Sequence, residues 1–137
     1  MVMGTWKEWR ETHPQTQVLS TDTGFEHMDY GNKSPYGDYK SSDRIMFPVA
    51  LSDARLHPKR VVHGSEIDGQ PVAYEQNYLQ EKGHLSDQVG GQQLSIRYQS
   101  DGSVQISNST GRQWTAHRMF WFAWYTFHPD TLLRDGE

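Results

Sequence analysis

Four groupings in this 137-residue chain hold residue types that could do chemistry. Asp22-Thr23-Gly24, preceded by Val18-Leu19, has the form of an aspartic-protease tripeptide, in which two carboxylates share a proton and activate water. Only one copy is present, Phe25 follows where a small residue is usual, and Val61-Val62-His63-Gly64 is a poor second apolar signature. A turn in which Asp22 caps local amides is the simpler reading. His63 and Ser65 stand two apart, so a strand would place base and nucleophile on one face, but no nucleophile elbow surrounds the serine. Asp22, His63 and Ser65 are the catalytic candidates. Seven histidines raise metal binding, with His57, His63 and Asp53 the first ligands to consider. No two histidines are separated by one, two or three residues, and the six-residue step from His57 to His63 is no recognised ligand pair. The fourth grouping is Tyr30, Tyr36 and Tyr39 with Asp38, where rings offer flat apolar faces and a carboxylate could orient a small polar ligand such as a sugar. The alternative is that the tyrosines only staple their own loop to the body. The acidic residues there lack the spacing of a calcium loop, so no cofactor is expected.

Composition removes several classes of function. Without cysteine there is no disulfide, iron–sulfur cluster, thiolate zinc site or cysteine nucleophile. Thirteen Lys and Arg face seventeen Asp and Glu, and only Arg55, Lys59 and Arg60 lie near one another, so there is no electrostatic footprint for nucleic acid. The longest apolar run, Met119 to Phe127, is far short of the roughly 20 residues that span a bilayer. Met1 to Thr12 alternates Trp with charged residues and shows no export segment, which gives a cytoplasmic location by default. Five Trp, seven Tyr and five Phe with a net charge of only -4 argue for a folded domain whose core leans on aromatic rings.

The elements that must position these groups are marked by a repeat. Trp6, Trp9, His13, Pro14 and Thr16 recur as Trp121, Trp124, His128, Pro129 and Thr131 at a constant offset of 115. Trp, Trp and His at i, i+3 and i+7 share one helical face, and the proline after His stops the helix. Each copy therefore predicts a short helix followed by a strand, over 1–19 and 117–133. Thr5 and Glu8 form a capping box on the first. The second, apolar all round through Phe120, Phe122, Ala123 and Tyr125, is expected at the centre of the core. Residues 20–44 predict a long loop, and 45–110 a β-rich body. Within the body, Val61–Ile67 and Pro71–Glu75 form a hairpin about Asp68-Gly69, and Gln92–Gln99 with Val104–Ser107 form another. Asn77 to Gly91 reads as loop or short helix. The expected fold is α+β in one domain over 1–137, an antiparallel sheet or partly closed barrel with a Trp-rich helix at each end of the chain.

The order Thr-Trp-x-x-Trp, His-Pro-x-Thr, Asp22-Thr23-Gly24-Phe25, Tyr30-Gly31, Pro35-Tyr36-Gly37-x-Tyr39, Phe47-Pro48-Val49, Leu56-His57-Pro58-Lys59, Asp68-Gly69-Gln70-Pro71-Val72-Ala73-Tyr74 and Phe120-Trp121-Phe122-Ala123-Trp124 resembles the bacterial domain-of-unknown-function family 3179. The resemblance runs over nearly the whole chain and implies correspondence to the C-terminal half of the family. The other half carries a Gly-Glu-Ala-x-Ala-Tyr strand motif and a Cys-Pro-x-Cys-like segment that this chain lacks. It implies an architecture and no mechanism. Relatives often look exported or membrane-tethered.

Two functions follow as expectations. The first is a non-enzymatic ligand- or protein-binding module, associating as a homodimer through the surface near Trp6 and Trp9. The second is a hydrolase-like or metal-dependent enzyme, which requires Asp22, His57 or His63 to converge near the long loop.

Overall fold

The Asp68-Gly69 turn sets the register of the central hairpin. A computed structural model describes residues 5–25, 36–39 and 41–136. Strands β1 (Val61–Ile67) and β2 (Gln70–Glu75) pair antiparallel, with Gly64 opposite Ala73 and Ile67 opposite Gln70. Asp68 and Gly69 both take positive φ, 47° and 87°. That mirror-image turn matches the twist of a two-residue hairpin, and Asp-Gly adopts it at little steric cost.

Glu75 at the end of β2 starts the next element, its carboxylate accepting the Tyr78 N–H at 2.8 Å to cap helix α2 (Gln76–Lys82). Helix α1 (Trp6–Thr12) lies ahead of the hairpin in the chain. After Gly83 the chain forms an antiparallel meander of β3 (His84–Val89), β4 (Gln92–Tyr98), β5 (Val104–Asn108) and β6 (Gln113–Trp114). It then crosses to the first sheet, where β7 (His117–Phe120) pairs antiparallel with β1. Helix α3 (Trp121–Phe127) follows, and β8 (Leu132–Arg134) joins β2 in parallel. The sheet orders are β7-β1-β2-β8 and β3-β4-β5-β6, two separate sheets with no closed barrel. The fold is α+β. No helix among the described residues is long and apolar enough to cross a membrane.

The alternating pattern of each strand assigns its two faces. Ile67, Val72 and Tyr74 of the first sheet pack against Val89, Leu94, Ile96 and Ile106 of the second, with Leu79 of α2 closing one end. On the opposite face of the first sheet, Val62 and Ala73 pack beneath Trp121 and Trp124 of α3. The order of layers is helix, sheet, sheet.

Three expectations need correction. The predicted centre of the core, the second Trp helix, instead covers the outer face of the first sheet, and the larger core lies between the sheets. Within 77–91, read as loop or helix, β3 follows the helix. Its pattern was masked because the inward position Asp87 is charged, held there by the Tyr74 hydroxyl at 3.1 Å and Arg134 Nε at 2.9 Å. Burial and the Asp87 charge in turn push the Tyr74 phenol well above its ordinary pKa. Finally, a strand follows the Trp helix only in the second copy. After α1, residues 13–25 form turns and irregular backbone.

Candidate functional site

The two Trp helices share their internal geometry. Trp9 Nε1 donates to Thr16 Oγ1 at 2.9 Å, and Trp124 Nε1 donates to Thr131 Oγ1 at 2.8 Å. His13 stacks on Trp9 with ring centroids 4.0 Å apart, and His128 on Trp124 at 3.9 Å. The residue ending each helix has nearly the same backbone, φ -131° and ψ 66° at His13, φ -133° and ψ 68° at His128. Their surroundings differ completely. Trp121 and Trp124 are 0% and 2% exposed, whereas Trp6 and Trp9 are 50% and 44% exposed.

The buried helix is held by tertiary contacts. Its N-terminus has no side-chain cap; the Trp121 and Phe122 amides donate instead to the Arg60 and Pro58 carbonyls at 2.8 and 2.9 Å. Trp124 lies against Gly64, where an added Cβ would fall 2.3 Å from a ring carbon. Arg55 lies over Trp121 and Tyr125, with its guanidinium carbon 5.3 and 5.8 Å from the ring centres, and donates to the Thr131 carbonyl. The exposed helix is held by its own sequence. Thr5 accepts the Glu8 N–H at 3.2 Å and Glu8 accepts the Thr5 N–H at 3.1 Å, the reciprocal capping box. Among the described residues before Lys59, none is buried.

The candidates from the sequence are placed in separate environments. Asp22 is exposed on the N-terminal arm, its N–H donating to Ser20 Oγ. His57 accepts the Lys59 N–H at Nδ1, so its proton sits on Nε2 and is donated to Asp43 at 2.7 Å. That contact is the largest influence lowering the Asp43 pKa. Both ring nitrogens of His57 are thereby engaged. Asp53 grips Arg55, with both carboxylate oxygens 3.0 Å from Nε. Burial would raise the Asp53 pKa, but its contacts with Arg55 outweigh that and hold it below the ordinary value. Among the described residues no group of three or more His, Asp or Glu is placed to hold a metal.

In the long loop, Tyr30 lies outside the described residues. The Asp38 carbonyl accepts the N–H groups of Ser41 and Ser42, closing a turn, and Tyr36 is exposed. Tyr39 lies over the buried Lys59 ammonium, with the nitrogen 3.8 Å from the ring centre, while the carbonyls of Tyr39 and Ser42 accept from the same nitrogen. Lys59, noted in the sequence only as one of three neighbouring basic residues, pins the loop: its three N–H donors find oxygen partners and its charge an aromatic face. Charge, ring and carbonyls come from segments about twenty residues apart, a convergence no local pattern announces.

His63 and Ser65 share the inter-sheet face of β1, as their alternation predicts, and both are buried. Neither His63 Nε2 nor Ser65 Oγ has a hydrogen-bond partner, so the two are not bonded to each other as base and nucleophile. The His63 ring meets Tyr98 edge-on at 6.1 Å and lines a cleft of about 440 Å³, where residues 113–119 cross from the second sheet to the first. Val104, Ile106 and Trp114 contribute to its walls, and Arg118, directly opposite His63 in the β1–β7 pair, lines the same space. Burial depresses the His63 pKa from 6.5 to about 4, Gln76 pulls it upward, and the Arg118 charge depresses it further. The imidazole is neutral at pH 7. Trp114 is the one tryptophan outside the repeat, so no sequence pattern marks it as part of a site.

Chemically, the molecule presents an exposed aromatic helix and a cleft with a neutral imidazole, and no assembled nucleophile–base pair among the candidates. No curated protein and no solved structure matches the chain. The model of one protein family matches residues 1–116, which takes in the N-terminal part and stops short of α3, so restriction to the family's C-terminal half is not borne out. By that match the chain belongs to the family of proteins of unknown function DUF3179.

Proposed function

We propose that this protein is a non-enzymatic association module that pairs with a second copy of itself through the Trp6–Trp9 face of α1. One observation carries the reading: a helix with the same Trp-Trp-His-Pro-Thr contacts is buried at 121–131 and exposed at 5–16. The two segments are taken as copies of one unit, whose indole face is made to be covered. Trp and Tyr dominate the energetics of protein interfaces because they bury large area with few rotatable bonds. Val18, Leu19, Phe25, Met46 and Phe47 are further large apolar side chains left exposed ahead of the sheets. A two-fold contact, in which the arm of each copy covers that of the other, is the simplest closed arrangement.

The test is mass by light scattering on the full chain at low micromolar concentration. The expected result is a particle about twice 15.9 kDa, reduced to a monomer with an unchanged circular dichroism spectrum by the double variant Trp6→Ala, Trp9→Ala. A monomeric wild-type chain, or a dimer that survives the double variant, overturns the reading.

A further inference from the structure

We propose that the cleft at the sheet crossing binds a small organic carboxylate, its charged end on Arg118 and the Trp114 N–H and its apolar body against Val104 and Ile106. The site lies apart from the α1 face and does not depend on it. Three observations converge on it. His63, 2% exposed, lines the cleft with Nε2 unpartnered, and the buried Trp114 Nε1 is unpartnered as well. Buried polar atoms in native proteins nearly always have partners, so two orphans beside one cleft point to a ligand that supplies them. An indole N–H can only donate, so its missing partner is an acceptor.

The charges select among acceptors. No Asp or Glu lines the cleft. Arg118 does, and among the described residues no carboxylate pairs with it; its Nε donates to Gln76 Oε1 at 3.0 Å, which orients the guanidinium and leaves the two terminal nitrogens for a ligand. Val104, Ile106 and Ala116 give the rest of the wall an apolar character suited to a short aliphatic or aromatic body, while Ser103, Gln105 and Gln113 make a neutral polar rim. A volume of about 440 Å³ admits such a molecule, toward the small end of the usual range for ligand sites, roughly 300–1,000 Å³.

Benzoate and its neutral counterpart benzyl alcohol are the probes, followed by the five indole N–H resonances of the 15N-labelled chain at pH 7. Trp114→Phe identifies the Trp114 signal by its loss. The expected result is a saturable shift of that resonance with benzoate and a response at least about tenfold weaker with benzyl alcohol, as loss of a charge-assisted contact implies. Arg118→Gln should weaken the benzoate response by a similar factor while the other four indole signals keep their positions, which shows that the fold is intact. Should Trp114→Phe disturb the remaining signals, the His63 ring carbon protons report the same titration. Absence of a saturable shift overturns the proposal, as does an equal response to the alcohol or a benzoate response unchanged in Arg118→Gln.

Discussion

The segments 5–16 and 120–131 use the same residues to make the same indole–threonine bond and the same stacked imidazole, yet one is interior and the other surface. The difference lies in what flanks them. Around α1 the neighbours are Lys7, Glu8, Arg10 and Glu11, and its first turn is capped by its own Thr5 and Glu8. Around α3 they are Phe120, Phe122, Ala123 and Tyr125, and its first amides are capped by carbonyls from residues 58 and 60. A helix that satisfies its own termini can stand off the body. One that borrows its cap cannot leave it. Local encoding and tertiary encoding of one motif are thus present in a single chain.

The largest effect should come from truncating the two equivalent indoles. Trp124→Ala removes a ring packed on Gly64 and Ala73 and should cost about 3–5 kcal/mol of unfolding free energy. Trp9→Ala, measured at a concentration where the chain is monomeric, should cost no more than about 0.5 kcal/mol, as expected of surface positions. Urea unfolding of both variants checks this, and equal losses would break the comparison. Should Trp124→Ala fail to fold, Gly64→Ala gives a graded version. The added methyl meets the Trp124 ring and should destabilise by about 1–3 kcal/mol through overpacking.

How much of this was legible in the sequence follows from the same distinction. Where the determinants are local, the reading holds: the capping box of α1, the Asp-Gly hairpin and the Gln92–Tyr98 alternation lie where their residues place them. Where they are distant, it does not. β3 was unreadable because Asp87 occupies an inward position made tolerable by Tyr74 and Arg134, 13 and 47 residues away. The strand expected after the first Trp helix is absent although the motif is present, because β8 forms only by pairing with β2, and nothing within the motif supplies such a partner. The site candidates divide likewise. Alternation put His63 and Ser65 on one face, but that the face lines a cleft with Trp114 and Arg118 depends on where the chain crosses between sheets. His57 and Asp53 each find a hydrogen-bonding partner within fifteen residues, and no histidine spacing anticipates that.

The next effect tests whether β1, which packs against Trp124 on one face and presents His63 on the other, is closed from both sides. The His63 pKa of about 4 lies below its ordinary 6.5, so between these values the unfolded chain binds a proton that the folded chain does not. The contribution is complete above about pH 6.5 and is lost as pH falls toward 4, amounting to about 2–3 kcal/mol before other groups are counted. Arg118 and Gln76 are the charged and polar groups acting on the ring, and Tyr98 packs against it. Stability curves at pH 7 and 4.5 for wild type and His63→Phe should show a steeper loss in the wild type. Identical slopes would place the ring in solvent.

A smaller effect separates the two indole–threonine bonds. Thr131 Oγ1 accepts from Trp124 and donates to the Leu132 carbonyl inside the protein, so Thr131→Val leaves the buried Trp124 indole N–H without a partner. That should cost about 1–2 kcal/mol. Thr16→Val breaks an equivalent bond in water, where the indole N–H finds a substitute at once, and should leave the melting temperature within about 1 °C. If Thr16→Val were as damaging as Thr131→Val, α1 would be part of the folded core.

The smallest effect bears on what the exposed copy is for. Thr5→Ala removes the hydroxyl that accepts the Glu8 amide and breaks the capping box, at a cost of about 1 kcal/mol to a helix only seven residues long. Such a helix has little stability of its own, and no core residue depends on it, so global unfolding should be unchanged. Association is where the loss should appear. A partner that covers Trp6 and Trp9 must find them on one formed turn, and a cap worth about 1 kcal/mol becomes roughly a fivefold weaker dimer when the helix has to be ordered on binding. Sedimentation equilibrium of Thr5→Ala against wild type reads that factor directly. A variant that melts early but dimerises normally would reverse the assignment, making α1 a structural element and leaving its indoles without a binding role.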